Sequence, residues 1–234
     1  MWRKALENAL GSKRMTQARA VRRAAKSPVF YIKHVVAKPP EGHRLHDIGK
    51  FYGTDKADER HSFYLSFLDV YERYFEPMRD KPIRVLEIGV KKGSSLRMWK
   101  GYFRNALIYG IDVDPVCKSH EEDRIRIEIG SQEDPEFLRR CFGGTYQFDI
   151  IIDDGSHVNR HMLASFECLF NERLSSGGIY VMEDLWCSYQ QLHYDNNRQD
   201  MNALFVEKIK RLDSREGNIL AMHFWSGMCF IIKV

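Results

Sequence analysis

Cysteine and long apolar runs are both scarce in this chain of 234 residues. The five cysteines are scattered, with no CxxC pair and no zinc-finger spacing, which disfavours a disulfide framework or a structural zinc site. No apolar run approaches the ~20 residues that a membrane-spanning helix requires, and the N-terminal segment lacks the apolar centre of a signal peptide. Together these absences predict a reducing, cytoplasmic location.

Acidic residues are nearly missing from the start of the chain. Residues 1–40 carry ten Lys and Arg but a single acid, a net charge of +9, so the remainder carries −5. A mildly acidic body argues against a nucleic-acid groove as the main surface. Because Pro39 and Pro40 favour an extended linker, we expect a basic arm and linker over 1–44 and one domain over 45–234. The arm is either a solvated basic helix or docking segment, or a transit peptide or membrane-surface helix.

Short apolar runs alternate with amphipathic stretches through the predicted domain. The predicted strands are 83–89, 106–112, 124–130, 148–153 and 179–184, followed by an antiparallel hairpin at 218–225 and 229–234. The predicted helices are 61–75, 94–103, one that begins at Pro135 with Asp134 as N-cap, 161–174 and 201–212. Nearly unbroken apolar strands between helices predict an α/β fold with a mostly parallel sheet covered on both faces. Ligands of such sheets bind at the carboxyl ends of the strands.

A glycine turn follows the first of these strands, in the stretch LEIGVKKGSSL. A dinucleotide-binding fingerprint would place a glycine where Glu87 stands, and a carboxylate there repels pyrophosphate but suits a cofactor with a cationic amino group. Asp112, at the end of the next strand, is well placed to accept both ribose hydroxyls. A tight turn explains one glycine alone, but the whole set resembles the S-adenosylmethionine site of Rossmann-like methyltransferases: Glu87, Gly89, Gly93 and Asp112. A nicotinamide-dependent oxidoreductase with a similar sheet is the competing enzyme hypothesis.

Acidic side chains also collect where the fourth and fifth predicted strands end. Asp153 and Asp154 end one strand, and Glu183 and Asp184 end the other. Neighbouring strand ends lie ~5 Å apart, so these carboxylates converge and, if unpaired, repel one another. A hard divalent cation such as Mg²⁺ resolves that repulsion. The alternative, in which one or two acids cap helices and the rest are solvated, stays open, above all for Asp153.

Several motifs together are similar to the magnesium-dependent sugar O-methyltransferases of macrolide biosynthesis and to the related cephalosporin hydroxylase-like proteins. They are YGTDK (52–56), RHSFYLSFLDVY, LEIGVKKGSSL, GIDVDP, IIIDDGSH and GGIYVMEDLWCSY. The resemblance covers roughly 45–234 and implies a Rossmann-like class I methyltransferase fold, with S-adenosylmethionine and Mg²⁺ as cofactors. It implies that His157 is the general base and that the metal ligands are Asp154, Glu183 and Asp184. The cofactor contacts assigned with it are Thr54, Glu87, Gly89, Gly93, Ser94, Asp112, Ser131, Gln132 and Asp153.

Two departures from the family pattern concern the adenine and the acceptor. Ser131 stands where relatives often carry an aspartate beside the adenine, and the stretch LWCSYQQLHYDNN after the fifth-strand acids differs from the family's usual sequence. The implied reaction is methyl transfer to a hydroxyl of a macrolide sugar, a glycolipid or a polysaccharide, with a small phenolic diol as a further option. A homo-oligomer is expected because relatives are often oligomeric. The non-enzymatic alternative is a cofactor-binding assembly protein that docks through residues 1–40 to a membrane or an acidic partner.

Overall fold

Seven strands form one sheet in the computed structural model, which describes residues 44–58, 66–189 and 201–234. The strands are β1 (Arg84–Ile88), β2 (Leu107–Asp112), β3 (Ile125–Ile129), β4 (Phe148–Asp153), β5 (Leu174–Met182), β6 (Ile219–Trp225) and β7 (Met228–Lys233). Their order across the sheet is β3-β2-β1-β4-β5-β7-β6. The first five are parallel, and β7 runs antiparallel between β5 and β6. The predicted, mostly parallel sheet with a C-terminal hairpin is therefore confirmed.

Helices precede the sheet and connect its strands. They are α1 (Leu45–Tyr52), α2 (Phe67–Phe75), α3 (Ser94–Tyr102), α4 (Pro135–Arg140), α5 (Asn159–Glu172) and α6 (Met201–Asp213). The Asp134 side chain accepts two backbone amides at the start of α4, where Pro135 occupies the first turn. At the start of α2, Ser66 and Asp69 form a capping box. A 3-10 turn over Asp55–Ala57 leads out of α1.

The boundaries of α5 and β5 differ from those predicted, and α2 begins at Phe67, after the extended N-cap Ser66, whereas the predicted helix began at residue 61. α5 begins at Asn159 and ends at Glu172, because the chain from Leu174 already pairs with Phe148 of β4. β5 therefore includes the Ser-Ser-Gly-Gly stretch, 175–178, that we expected to end the helix. Residues 61–65, the first part of a predicted helix, lie outside the described residues.

Apolar side chains cover both faces of the sheet. On one face, Trp99 of α3 packs edge-on against Tyr71 and Phe75 of α2. On the other, Phe166 of α5 meets Tyr180 of β5 edge-on. All five rings are buried. With both faces covered by packing, the strand ends are the parts of the sheet that stay accessible to a ligand.

The order of the strands reverses beside β1. From β1 the chain moves outward to β2 and β3, then returns to the other side of β1 to form β4 and β5. A crevice opens at such a reversal because the two neighbouring connections leave the sheet in opposite directions. The carboxyl ends of β1 and β4 therefore flank the position where this topology binds ligands.

The described residues fall within one compact unit that runs from His43 to Val234. The predicted boundary between a basic arm, 1–44, and a domain, 45–234, stays a prediction because residues 1–43 lie outside the described part. Within that part, no helix has both the length and the apolar character needed to cross a bilayer. The five cysteines are all buried free thiols.

Candidate active site

The residues that follow β4 and β5 lie side by side. Asp153 is in register with Met182, and the Glu183 amide donates to the Asp153 carbonyl oxygen at 3.0 Å. The Asp154 amide donates to the Ile88 carbonyl oxygen at 3.0 Å, which holds Asp154 at the end of β1. The parallel register thus brings acids from two adjacent strands to the reversal point of the sheet.

A cleft of about 650 Å³ opens at this edge, within the usual range for small-molecule sites. The strand ends form one side of it and residues 53–56 the other. Of the site residues predicted from the sequence, those that line the cleft are Thr54, Gly89, Ser94, Asp112, Asp154, His157, Glu183 and Asp184. Those that do not line it are Glu87, Gly93, Ser131, Gln132 and Asp153.

Asp154, His157 and Asp184 form one group on the cleft side, which we call the cleft triad. Nε2 of His157 lies 3.7 Å from Oδ1 of Asp154 and 3.6 Å from Oδ2 of Asp184. His157 and Asp184 both have positive φ, +56° and +52°, a conformation that is uncommon for residues with a Cβ and clusters at functional sites. Trp186 Nε1 donates to Oδ1 of Asp184 at 3.0 Å. The triad presents two carboxylates and an imidazole to the same small volume.

Three acids form a second group, which we call the buried triad: Glu87, Asp154 and Glu183. The ammonium of Lys56 lies among them. Its ammonium donates to Oδ2 of Asp154 and, at 2.7 Å, to Oε1 of Glu183. It also lies 3.3 Å from Oε1 of Glu87. The Tyr71 hydroxyl donates to the same Glu183 oxygen. The side chain of Lys56 is 2% exposed, so its ammonium is buried, and its partners among the described residues are acids.

The three predicted metal ligands are therefore divided between two groups. Asp154 belongs to both triads, with one oxygen toward Lys56 and the other toward His157. Glu183 faces Lys56, and Asp184 faces His157.

The pKa values of Glu183 and Lys56 are both shifted strongly from their ordinary values. Burial, together with the nearby Asp154 carboxylate, raises the pKa of Glu183 well above its usual range, and Lys56 offsets only part of this. Burial alone would lower the pKa of Lys56, but the surrounding carboxylates outweigh it and hold that pKa well above its ordinary value. Lys56 therefore stays protonated, whereas burial favours the neutral, protonated form of Glu183.

Asp112 supports the glycine turn as well as lining the cleft. Its Oδ2 accepts the amides of Val90 and Lys91 at 2.8 and 3.0 Å, and its Oδ1 accepts the amide of Asp114 at 2.9 Å. Burial alone would raise the pKa of the Asp112 carboxyl, but the three amide donors outweigh it and the pKa lies below its ordinary value. A hydrogen bond from the Cys117 thiol lowers the pKa of the Asp112 carboxyl further.

The turn itself requires glycine at Gly89. Its φ is +95°, and a Cβ there would overlap the carbonyl oxygen of Asp154. This close approach lets the end of β1 lie directly against the segment that carries the cleft triad. α3 then begins at Ser94, whose position on the cleft leaves the helix N-terminus facing it.

Asp153 and Gln132 support the site from the core. Asp153 is fully buried and accepts from Ser165 Oγ at 2.5 Å, Tyr180 OH at 3.0 Å and Gln132 Nε2 at 3.1 Å. Burial raises its pKa above the ordinary value despite these donors. The other end of the Gln132 amide, Oε1, accepts the Ser156 amide at 2.7 Å. Both side chains, which we assigned to the cofactor from the sequence, are engaged inside the protein.

Ser131 and Gly93 shape turns next to the cleft. Ser131 Oγ accepts the Glu133 amide at 3.3 Å in the turn before α4. Gly93 is the N-cap of α3, with φ +68°. In the described structure, these two predicted cofactor residues therefore shape the backbone beside the cleft.

Sequence reasoning missed Lys56 and the hydroxyl of Tyr71. Lys56 ends the YGTDK motif, and that motif was the only local signal for it. Tyr71 falls in the helix predicted over 61–75; its ring packs in the core, while its hydroxyl donates to Glu183.

Comparison with known proteins gives the same fold and a consistent set of relatives. No protein-family model matches the chain. A tetracenomycin-C rhamnosyl 2'-O-methyltransferase of Streptomyces olivaceus is 35% identical over 191 residues, 72% of this chain and 50% of that protein. Mycinamicin VI 2''-O-methyltransferase of Micromonospora griseorubida is 47% identical over 153 residues, 62% of this chain and 37% of that protein. The chain thus spans about half the length, or less, of these curated relatives.

Solved structures identify the fold. MycE methyltransferase from mycinamycin biosynthesis, in complex with Mg, SAH and mycinamycin VI, has a TM-score of 0.71 at 35% identity over 81% of this chain and 54% of its own. The Podospora anserina methyltransferase PaMTH1 has a TM-score of 0.53 at 19% identity over 91% of this chain and 96% of its own, which is a likeness of fold alone. The protein has the Rossmann-like class I methyltransferase fold. Its relatives are sugar O-methyltransferases of macrolide and tetracenomycin pathways, which confirms the family resemblance seen in the motifs.

Proposed function

We propose that this chain transfers a methyl group from S-adenosylmethionine to a hydroxyl of a sugar or glycoside, with Mg²⁺ held by the acids after β4 and β5. The observation that supports this most is the cleft triad, which opens on the same cleft as the glycine turn and Asp112. The relatives support it independently, since they are named for sugar O-methylation and MycE was solved with Mg and SAH.

The residues present fit a divalent cation. Four carboxyl groups meet here beside one ammonium, Lys56, so acidic groups outnumber the built-in cation: Glu87, Asp154, Glu183 and Asp184. Asp154 and Asp184 are about one-fifth exposed, and their oxygens face the cleft. Hard oxygen ligands with positions left open for water or substrate are what Mg²⁺ prefers. We assign the ion primarily to Asp154 and Asp184, with Glu183 behind them beside Lys56.

The residues also fit S-adenosylmethionine. Asp112 lines the cleft, where it can accept a ribose hydroxyl, and the N-terminus of α3 at Ser94 suits the carboxylate of the methionine part. Thr54 lies on the opposite side of the same cleft, where it can close over a ligand. Glu87, which we first assigned to the cofactor's amino group, faces the ammonium of Lys56 instead. The proposed direct contacts are thus Thr54, Gly89, Ser94 and Asp112.

His157 is placed to take the proton of the acceptor hydroxyl. Its ring lies at the cleft between two carboxylates, which orient it and stabilise the imidazolium that forms. When bound, S-adenosylmethionine supplies an electrophilic methyl group on a sulfonium, and Mg²⁺ stabilises negative charge that develops on the acceptor oxygen. Asp154 belongs to both triads and therefore fixes the distance between His157 and the buried group around Lys56. Residues 53–56 close the side of the cleft opposite the strand ends, which helps to hold donor and acceptor in line.

The direct test is methyl transfer from labelled S-adenosylmethionine to rhamnosyl and other deoxysugar glycosides. We expect turnover with Mg²⁺ and none after chelation. His157→Ala should still bind S-adenosylhomocysteine but lose a factor of ~10² to 10⁴ in turnover, the usual contribution of a general base. His223→Ala serves as the control, since His223 lies on the exposed β6 strand.

Four results would contradict the proposal. Near-normal turnover of the His157 variant would show that His157 is not the general base. Activity after exhaustive chelation would show that the reaction does not require a metal ion. Binding of NAD in preference to S-adenosylmethionine would favour an oxidoreductase. An absence of turnover on every glycoside, with salt-dependent vesicle binding by residues 1–40, would favour an assembly protein.

A further inference from the structure

The buried triad has the dimensions of a second cation site. One ligand oxygen from each of Glu87, Asp154 and Glu183 lies within 4.8 Å of the others, the same criterion that the cleft triad meets. Glu87 and Glu183 are at most 1% exposed, so the site is more enclosed than the cleft triad. Carboxylate oxygens at such spacing surround hard divalent cations in proteins.

Lys56 fills this site in the structure. Its ammonium is a compact charge with three donors, and each of the three acids lies within 3.3 Å of it. Oε1 of Glu87 receives no well-formed hydrogen bond within the described residues and faces the ammonium at 3.3 Å. Removing the ammonium would leave buried carboxylates without a counter-charge, which is strongly unfavourable.

We propose that Lys56 is a built-in cation that occupies the buried triad and thereby restricts the site to one divalent ion, bound at the cleft triad. The inference rests on the proposed function for the ion at the cleft triad. The buried triad itself follows from the positions of Lys56 and its three acids. Lys56 acts as a positioning residue, because it fixes Asp154 between the two triads and leaves the second oxygen of Asp154 turned toward His157.

An ordinary structural ion pair would give a different response to substitution. If Lys56 only stabilised the fold, its loss would lower stability without creating a place for an ion. If it stands in for a cation, its loss should open a three-carboxylate site to a divalent ion. The number of ions bound per chain separates the two roles.

The experiment is a Mn²⁺ titration followed by electron paramagnetic resonance on three proteins of all 234 residues. They are the unaltered chain, Lys56→Met and the matched control Lys208→Met. Lys208 is also a largely buried lysine, paired with Glu167 at 2.8 Å but outside the cleft lining. We expect one bound ion in the unaltered chain, two in Lys56→Met and one in the control. Thermal unfolding with and without Mn²⁺ should show a larger stabilisation by the ion in Lys56→Met than in the other two proteins.

The outcomes distinguish this inference from the proposed function. One more ion in Lys56→Met than in the unaltered chain supports the inference that Lys56 occupies the buried triad, whereas no ion in the unaltered chain contradicts the proposed site at the cleft triad. An unchanged number of ions in Lys56→Met, or the loss of one, overturns the inference. The number of ions bound by the unaltered chain tests the cleft triad separately. Should Lys56→Met not fold, Lys56→Gln, which keeps hydrogen-bond donors but no charge, is measured against the same criteria. Metal-dependent folding of either variant also supports the inference.

Discussion

At the scale of single residues, Gln132 shows how a buried amide determines the position of a functional loop. Its Nε2 donates to Asp153 and its Oε1 accepts the Ser156 amide, so it connects the end of β4 to the turn that precedes His157. A Cβ on Gly155 would overlap this Oε1 atom, which shows how closely the loop packs on the amide. The amide therefore holds the loop from below while the cleft triad faces ligand.

Gln132→Leu should destabilise the protein by about 1–3 kcal/mol, because it leaves the buried Asp153 carboxylate and the Ser156 amide each short of a partner. The measurement is the free energy of unfolding in urea. The control is Gln147→Leu, at an exposed glutamine, which should change stability by no more than about 0.5 kcal/mol. Equal effects of the two substitutions would show that the Gln132 bridge does not support the loop.

The sequence predicted the acids of the site better than their partners. Asp154, Glu183 and Asp184 end apolar runs, so their place at the edge of a parallel sheet follows from a local pattern. Lys56 pairs with Asp154 and Glu183, which lie 98 and 127 positions further along the chain. No local sequence pattern predicts a pairing over that distance. The division into two triads could not be predicted for the same reason, since it depends on where one buried ammonium lies.

At the scale of elements, Glu72 of α2 joins two helices. Its Oε1 accepts the Leu45 amide at 2.8 Å, at the start of α1, where the N-cap Arg44 provides no side-chain acceptor. Burial raises the pKa of the Glu72 carboxyl, and the Leu45 amide and Arg44 offset this only in part. The protonated carboxyl is therefore more favoured in the folded chain than in the unfolded chain.

This pKa difference predicts a pH dependence with a definite sign. Between the ordinary carboxyl pKa, about 4.5, and the raised value, the folded chain holds a proton that the unfolded chain has lost. Stability from this group is thus present below about pH 4.5 and falls as the pH rises through the raised pKa. Relative to Glu72→Gln, the unaltered protein should lose stability as the pH rises from about 4.5 through the raised pKa, measured by urea unfolding. A difference that stays constant, or grows with pH, would contradict the raised pKa.

Element positions followed from the sequence where periodicity and capping agreed. Apart from β5, the strands of the sheet and the start of α4 at Asp134 and Pro135 were predicted within a residue or two. β5 was predicted too short because its first half, Ser-Ser-Gly-Gly, has turn composition. Pairing of Leu174 with Phe148 outweighs that local preference, as tertiary contacts commonly do in strands.

At the scale of the whole molecule, the chain concentrates its chemistry at one edge of one sheet. The strand reversal beside β1 supplies the cleft, α3 and the glycine turn supply one side of it, and the ends of β4 and β5 supply the charges. The chain spans about half the length of its curated relatives, and the acceptor that we propose is a sugar or glycoside hydroxyl.

The most direct measurement is an anomalous difference map from a crystal grown with Mn²⁺ and S-adenosylhomocysteine. We expect one peak between the carboxylates of Asp154 and Asp184, beside the His157 ring, with the ammonium of Lys56 still in the buried triad. The sulfur of the ligand should lie in the same cleft, between the glycine turn and the ion. A map with ligand bound but no metal peak at these acids, or with the His157 ring turned out of the cleft, would contradict a metal-dependent methyl transfer at this site.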